Sequence, residues 1–258
     1  MATYYDDERN IIKFVCSSSK MDVKIFSKGL LGNLRTWSIL RKVTTEMFFD
    51  RRWRNNTQSK MPPDFISNNG KYMMEVMRFD DHSKNGKDNP TLAKESKIYE
   101  KIKPLLNNNL VFITAHSGLP TEKDHNYDMY YNGFKRTVTK HINKIPNYRS
   151  NHPNAKCIFL VFDESSGVYY ENNGNKDQGI LHYHFMDKKF IDVFENSDVD
   201  YLIWFAPYKG CHIDKKGKPK YIQVTPLVIY DVKKFMKNRY IRNKIYNYNE
   251  NKMISSEK

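Results

Sequence analysis

Apolar positions along this chain alternate between helical and strand periods, and the switches mark its elements. Residues 29–53, GLLGNLRTWSILRKVTTEMFFDRRW, carry apolar residues at helical spacing and end in a basic cluster, which predicts a helix. Residues 61–79, MPPDFISNNGKYMMEVMRF, place two apolar runs either side of Asn-Asn-Gly, the left-handed positions that a hairpin turn needs. A polar loop at 80–89 leads to Pro90, suited to the first turn of a helix over 91–106. The pattern then predicts a strand at 110–117, LVFITAHS, an amphipathic helix at 130–145, and a strand at 156–164, KCIFLVFDE. A loop rich in Asn and Gly precedes a further strand at 179–186, GILHYHFM, and a short helix at 188–196. A strand at 199–208, an extended run at 218–229 and a last helix at 230–247 complete the series.

Several of these strands follow one another with no helix between them. That order predicts an α+β fold, a mainly antiparallel five-stranded sheet with helices packed on one face. Residues 1–105 read as an N-terminal helical and hairpin extension, 106–248 as the main domain and 249–258 as a frayed tail.

Composition changes the picture in one respect. Lys and Arg outnumber Asp and Glu 43 to 29, a net +14, which favours a polyanionic partner, nucleic acid before membrane. The chain is also rich in Asn, Lys, Ile and Tyr, the usage of an A/T-rich genome. No apolar run reaches membrane-spanning length and the first residues are too polar for a secretory signal. Cys16, Cys157 and Cys211 lack the spacing of a disulfide framework. The expectation is a cytoplasmic protein.

The candidate chemistry centres on His182 and His184. On a strand, side chains two apart share a face, so both imidazoles would form a platform for a divalent metal, completed by a neighbouring carboxylate. Phe112-Ile113-Thr114 lies upstream, an acidic pair Asp163-Glu164 ends the preceding strand, Gly179 precedes His182-Tyr183-His184, and a basic tyrosine-bearing helix comes last. This order resembles the rolling-circle replication initiators (Rep proteins) of the HUH endonuclease superfamily, as in small phages and plasmids. The resemblance covers about 110–246. It implies Mg²⁺ or Mn²⁺ held by His182, His184 and Glu164, with Asp163 as the rival to Glu164. It also implies a tyrosine that nicks single-stranded or hairpin origin DNA through a 5′-phosphotyrosyl link and rejoins it, with host replication proteins as further partners. A transposase or relaxase would share this chemistry.

Eighteen tyrosines are present, so position must choose among them. On the last helix Lys233, Lys237, Tyr240 and Lys244 share one face by the helical period, and Tyr240 borders the packed side. Tyr240 is therefore the expected nucleophile, assisted by Lys244. Tyr230 and Tyr246 follow in that order, and Lys233 and Lys237 are candidate phosphate contacts.

A second constellation lies in the first half. Asp64 opens the hairpin and Glu75 lies on its return strand, which resembles the PD-(D/E)XK nuclease core, where two carboxylates bind Mg²⁺. Glu46 is a possible third ligand. The lysine expected two residues after Glu75 is Met77, so Arg78 or Lys94 would have to replace it. Arg51, Arg52 and Arg54, interleaved with Trp53, form a further candidate surface for nucleic acid. A basic nucleic-acid-binding protein without catalysis is the remaining alternative. Cys211-His212 has no second pair at zinc spacing, and the chain has no glycine-rich phosphate loop, so neither a zinc site nor nucleotide hydrolysis is expected.

Overall fold

The computed structural model describes residues 7–17, 23–27, 29–56, 63–81, 125–165, 167–174, 179–209, 212–213, 219–220, 227–237, 243 and 245–256. The strand expected at 110–117 and the helix expected at 91–106 lie outside these residues, as do Lys94, Tyr240 and Lys244.

In chain order the helices are α1 (Glu8–Ser17), α2 (Gly29–Thr44), α3 (Glu46–Arg52), α4 (Tyr127–Ile142), α5 (Ile145–Asn151), α6 (Lys188–Asp192) and α7 (Val232–Lys237). The strands are β1 (Val23–Phe26), β2 (Trp53–Asn55), β3 (Phe65–Ser67), β4 (Tyr72–Phe79), β5 (Lys156–Asp163), β6 (Tyr169–Glu171), β7 (Ile180–Leu181), β8 (Tyr201–Phe205), β9 (His212–Ile213), β10 (Pro219–Lys220), β11 (Leu227–Asp231) and β12 (Met253–Ser255). Seven strands form one sheet in the order β1-β11-β8-β5-β4-β3-β2, and β12-β6-β7 form a small antiparallel sheet.

The fold is α+β, but the main sheet is mixed and seven-stranded, not a mainly antiparallel five. Its β1/β11, β4/β5 and β5/β8 junctions are parallel; β11/β8, β2/β3 and β3/β4 are antiparallel. The residues say why. β8 and β11 are buried at every position, and β5 at all but its first. Such continuous apolar runs suit strands covered on both faces, and two cores lie either side of the sheet. Ile11, Val15, Ile39, Val43 and Phe49 from α1–α3 cover Met74, Ile158, Leu160 and Ile203. Tyr130, Phe134 and Val138 of α4, with Tyr148 of α5, cover Met73, Met77, Phe159 and Val161. Helices therefore flank both faces rather than one.

The described residues up to Asp81 do not form a separate extension: β1, β2, β3 and β4 supply four of the seven strands of this sheet. Within the expected frayed tail, Met253–Ser255 form β12, which pairs with β6. The hairpin prediction holds: β3 and β4 join through Asn68, Asn69 and Gly70, whose φ of 66° is left-handed. Asn126 caps α4 by accepting from the Met129 N–H at 3.0 Å. Glycine at 133 lets α4 approach the strand end, where a Cβ would meet the Asp80 carbonyl oxygen at 2.4 Å. No helix among the described residues is long and apolar enough to cross a membrane.

Candidate active site

The β3–β4 hairpin and the end of α4 build one site. Phe65 pairs with Met74 and Ile66 with Met73, so one residue further along this register Asp64 stands opposite Glu75. Alternation along β4 puts Met73, Glu75 and Met77 on the α4 side of the sheet, since Met73 and Met77 belong to that core. Asp64 Oδ2 accepts the Val76 N–H at 2.7 Å, and the Asp64 carbonyl accepts the Asn56 N–H at 2.8 Å. Glu75 is 3% exposed, whereas Asp64 is only partly buried and opens toward solvent.

Polar side chains on α4 and α5 close over this pair. His141 Nδ1 lies 2.6 Å from Glu75 Oε1. The Tyr148 hydroxyl is buried against the Glu75 carboxylate and interacts with it, although neither it nor Glu75 Oε2 makes a hydrogen bond of good geometry. Burial and then the charge of Glu75 push the Asp64 carboxyl up to about 7, against the opposing pull of the Val76 N–H and of Lys144 at the start of α5. Burial, then the same Glu75 charge, holds the Tyr148 phenol far above its usual range. Two carboxylates thus share a partly desolvated space with too little positive charge to satisfy them.

The basic residues proposed for this pair need correction. Met77 is buried under α4 and stays apolar. Arg78 points to the opposite face by strand alternation and pairs with Glu164 at 3.6 Å, so it cannot stand in for lysine. Lys144 and His141 come from the helical side instead. His141 has a sequence signal: it continues the buried stripe Tyr130–Phe134–Val138 of α4 at helical spacing, a polar residue on a core face. Lys144 has none, because the break between α4 and α5 places it. Glu46, the possible third ligand, is exposed on α3, and α3 belongs to the helices on the other side of the sheet.

The histidine pair does not form the expected platform. Only Ile180 and Leu181 of the predicted strand are extended; His182 follows the strand and His184 lies in a turn. Both are buried, at 5% and 4% exposure. His182 Nε2 is 2.8 Å from Asp187 Oδ2, which also accepts the Tyr127 hydroxyl at 2.5 Å. Asp187 in turn caps α6 by accepting the Lys189 N–H at 2.9 Å. The His184 ring stacks on Trp204 with centroids 3.8 Å apart, and its Nε2 has no partner. Burial lowers the pKa of both histidines, and His182 adds to the effect at His184. They remain neutral and serve the core.

The other members of that set are likewise apart. Glu164 pairs with Arg78. Asp163 is fully buried, accepting the Tyr130 hydroxyl at 2.7 Å and the Ser165 hydroxyl at 2.5 Å, with Lys209 Nζ at 3.7 Å. Tyr230 is buried in β11 and stacked on Phe26. Tyr246 is exposed in a bridge to Asp187 beyond the end of α7, outside any helix. Lys233 and Lys237 are exposed one turn apart on α7 as expected, and Lys233 pairs with Asp200 at 3.7 Å. Trp53 is buried against Phe49, with its indole N–H donated to the Lys42 carbonyl, so it cannot stack on a base; Arg51, Arg52 and Arg54 are exposed.

Among the described residues no group of three or more His, Cys, Asp or Glu side chains could hold a metal ion. A pair does not fall to that test for Mg²⁺, which keeps several waters and takes one or two carboxylates plus substrate phosphates. No protein-family model, no curated protein and no solved structure matches the chain.

Proposed function

We propose that this protein is a divalent-metal-dependent nuclease acting at Asp64 and Glu75, the reading in which the hairpin resembles the PD-(D/E)XK core. The observation that carries it is the placement of Asp64 and the buried Glu75 side by side on one face of the hairpin, where burial and the Glu75 charge raise the proton affinity of Asp64. Hard oxygen donors short of positive charge fit Mg²⁺ or Mn²⁺, so Asp64 and Glu75 would hold the ion. When bound, such a cation supplies Lewis acidity toward a phosphate oxygen.

The chain's own residues do the rest. His141 fixes the Glu75 carboxylate through Oε1 and Tyr148 lies against the same carboxylate; the cation would take Oε2. Asp64 holds a proton near neutral pH and releases it when positive charge arrives. Lys144 supplies a cationic group beside Asp64 for the phosphate, the role the missing lysine would have had. The net +14 draws a polyanion. Nicking and joining through Tyr240 ranks second, because it would require His182 and His184 to leave Asp187 and Trp204.

The test is cleavage of end-labelled DNA and RNA oligonucleotides with Mg²⁺ or Mn²⁺. Cleavage should disappear in Glu75→Gln and survive in His182→Gln. Cleavage that survives Glu75→Gln would overturn the reading, and a covalent protein–DNA adduct would restore the nicking alternative.

A further inference from the structure

α2 is apolar on the side that it turns away from the core. Gly32, Thr36, Ile39, Leu40, Val43 and Thr44 are buried and mark one side of the helix, where Ile39, Leu40 and Val43 pack against the sheet. By the helical period, Leu31, Leu34, Ser38 and Arg41 fall on the opposite pole, with Trp37 on one shoulder and Arg35 and Lys42 on the other. Leu31 is 82% exposed, Leu34 56% and Trp37 40%. Met47, in the first turn of α3, is exposed as well, so four of the seven large apolar side chains exposed among the described residues lie within 31–47. A single outward leucine is ordinary, whereas an apolar patch rimmed by polar residues marks an interaction surface. A helix that is hydrophobic all round is normally buried all round, yet Leu31 and Leu34 stand in solvent. Charge narrows what meets this pole. α2 has no acidic residue, and its cations are Arg35, Arg41 and Lys42. Arg41 is exposed on the pole itself, and Arg35 is exposed beside it. The partner is therefore apolar and anionic at once. Four side chains are far fewer than the roughly 20–30 residues a side of a stable protein interface. They suit a bilayer, where leucine enters the acyl boundary, tryptophan sits at headgroup level and arginine meets anionic lipid.

We infer that α2 is a peripheral membrane contact: Leu31, Leu34 and Trp37 enter the interface of a bilayer that carries anionic phospholipid, and Arg35 and Arg41 bind its headgroups. The inference does not depend on the nuclease reading. α2 packs in the core on one side of the sheet, and Met73 and Met77, which share the face of Glu75, lie in the core on the other. A protein resting on α2 therefore keeps the Asp64–Glu75 pair on the far side of the sheet from the bilayer. Leu34 and Arg41 point away from the core, so replacing them keeps the fold.

The experiment measures co-sedimentation of the full chain with vesicles of phosphatidylcholine alone and of phosphatidylcholine with one-third phosphatidylserine. The chain has three tryptophans, and Trp53 and Trp204 are buried, so quenching of fluorescence by acrylamide reports chiefly on Trp37. The mixed vesicles should bind the protein and shield Trp37 from acrylamide, and phosphatidylcholine alone should do neither. Leu34→Ser should lower the partition coefficient about tenfold, the loss of one buried leucine. Arg41→Gln should lower it about fivefold, the worth of one cation at an anionic surface. Trp37→Phe should remove the change in quenching while most of the binding remains. Binding to the mixed vesicles that Leu34→Ser does not weaken, or that leaves Trp37 as accessible as before, would show attraction by net charge alone and overturn the inference. So would no binding, equal binding to both kinds of vesicle, or shielding of Trp37 by a second copy of the protein or by a single-stranded oligonucleotide in place of the vesicles.

Discussion

Replacing Asp64 with Asn should stabilise the metal-free protein, by an amount that grows as pH rises from about 4 to 7 and then levels off. In the native state the Asp64 carboxyl is raised to about 7 from 3.8 by burial and by Glu75. A group whose native pKa is raised contributes its full stability below the unfolded value, and loses it as pH climbs to the native value. Stability of the wild-type protein should therefore decline between about pH 4 and pH 7 through this group. At pH 8 the ionised pair costs on the order of 2–4 kcal/mol. Asparagine keeps an oxygen to accept the Val76 N–H and carries no charge, so it removes that cost. For a chain of this size the gain corresponds to about 5–10 °C in Tm. The assay is calorimetric or circular-dichroism melting of both proteins with EDTA at pH 5 and pH 8. The expected result is a higher Tm for Asp64→Asn at pH 8 and a clearly smaller excess at pH 5. A variant that melts lower at pH 8, or shows the same offset at both pH values, would refute the argument that two like charges are confined there.

Three further outcomes follow from the same geometry. Millimolar Mn²⁺ should raise the Tm of the wild-type protein more at pH 8 than at pH 6, because the cation competes with a proton at the pair, and should leave Glu75→Gln unmoved; at a hundred times the dissociation constant the gain is about 2.7 kcal/mol. Asp187→Ala should cost roughly 3 kcal/mol or more in urea denaturation, since it removes the α6 cap and leaves His182 and the Tyr127 hydroxyl buried without their shared acceptor. Lys209→Met should destabilise by about 3–5 kcal/mol by leaving Asp163 buried without its cation, with no loss of metal-stimulated cleavage once the variant is folded.

Local periodicity made much of this fold legible. The hairpin at Asn68–Gly70, the α4 stripe and β5 all lie close to where their patterns put them. Topology was harder to read. Consecutive strands suggested antiparallel pairing, yet β5 and β8 run parallel because the chain crosses over between them through β6, β7 and α6. The unbroken apolar runs of β5, β8 and β11 held the signal, since a strand with one wet face alternates and these do not. Tyr230 and Asp231, expected in the last helix, belong to β11, and residues 245–247 are not helical.

The sites divide along the same line. His182 and His184 share a spacing that implies one face only on a strand, and the chain turns at that point, which sends His182 to Asp187 and His184 onto Trp204. Asp64 and Glu75 kept their relation because a short hairpin fixes register. His141 and Lys144 reach that pair only through tertiary packing, more than sixty residues away in sequence, where no local pattern could join them.

The most direct measurement is the position of Mn²⁺ in crystals grown or soaked with the ion, located by its anomalous scattering. The account predicts a peak between the Asp64 and Glu75 carboxylates, on the side of Glu75 Oε2, with His141 still bonded to Oε1. A peak at His182 and His184, or none near Asp64 at alkaline pH, would contradict it.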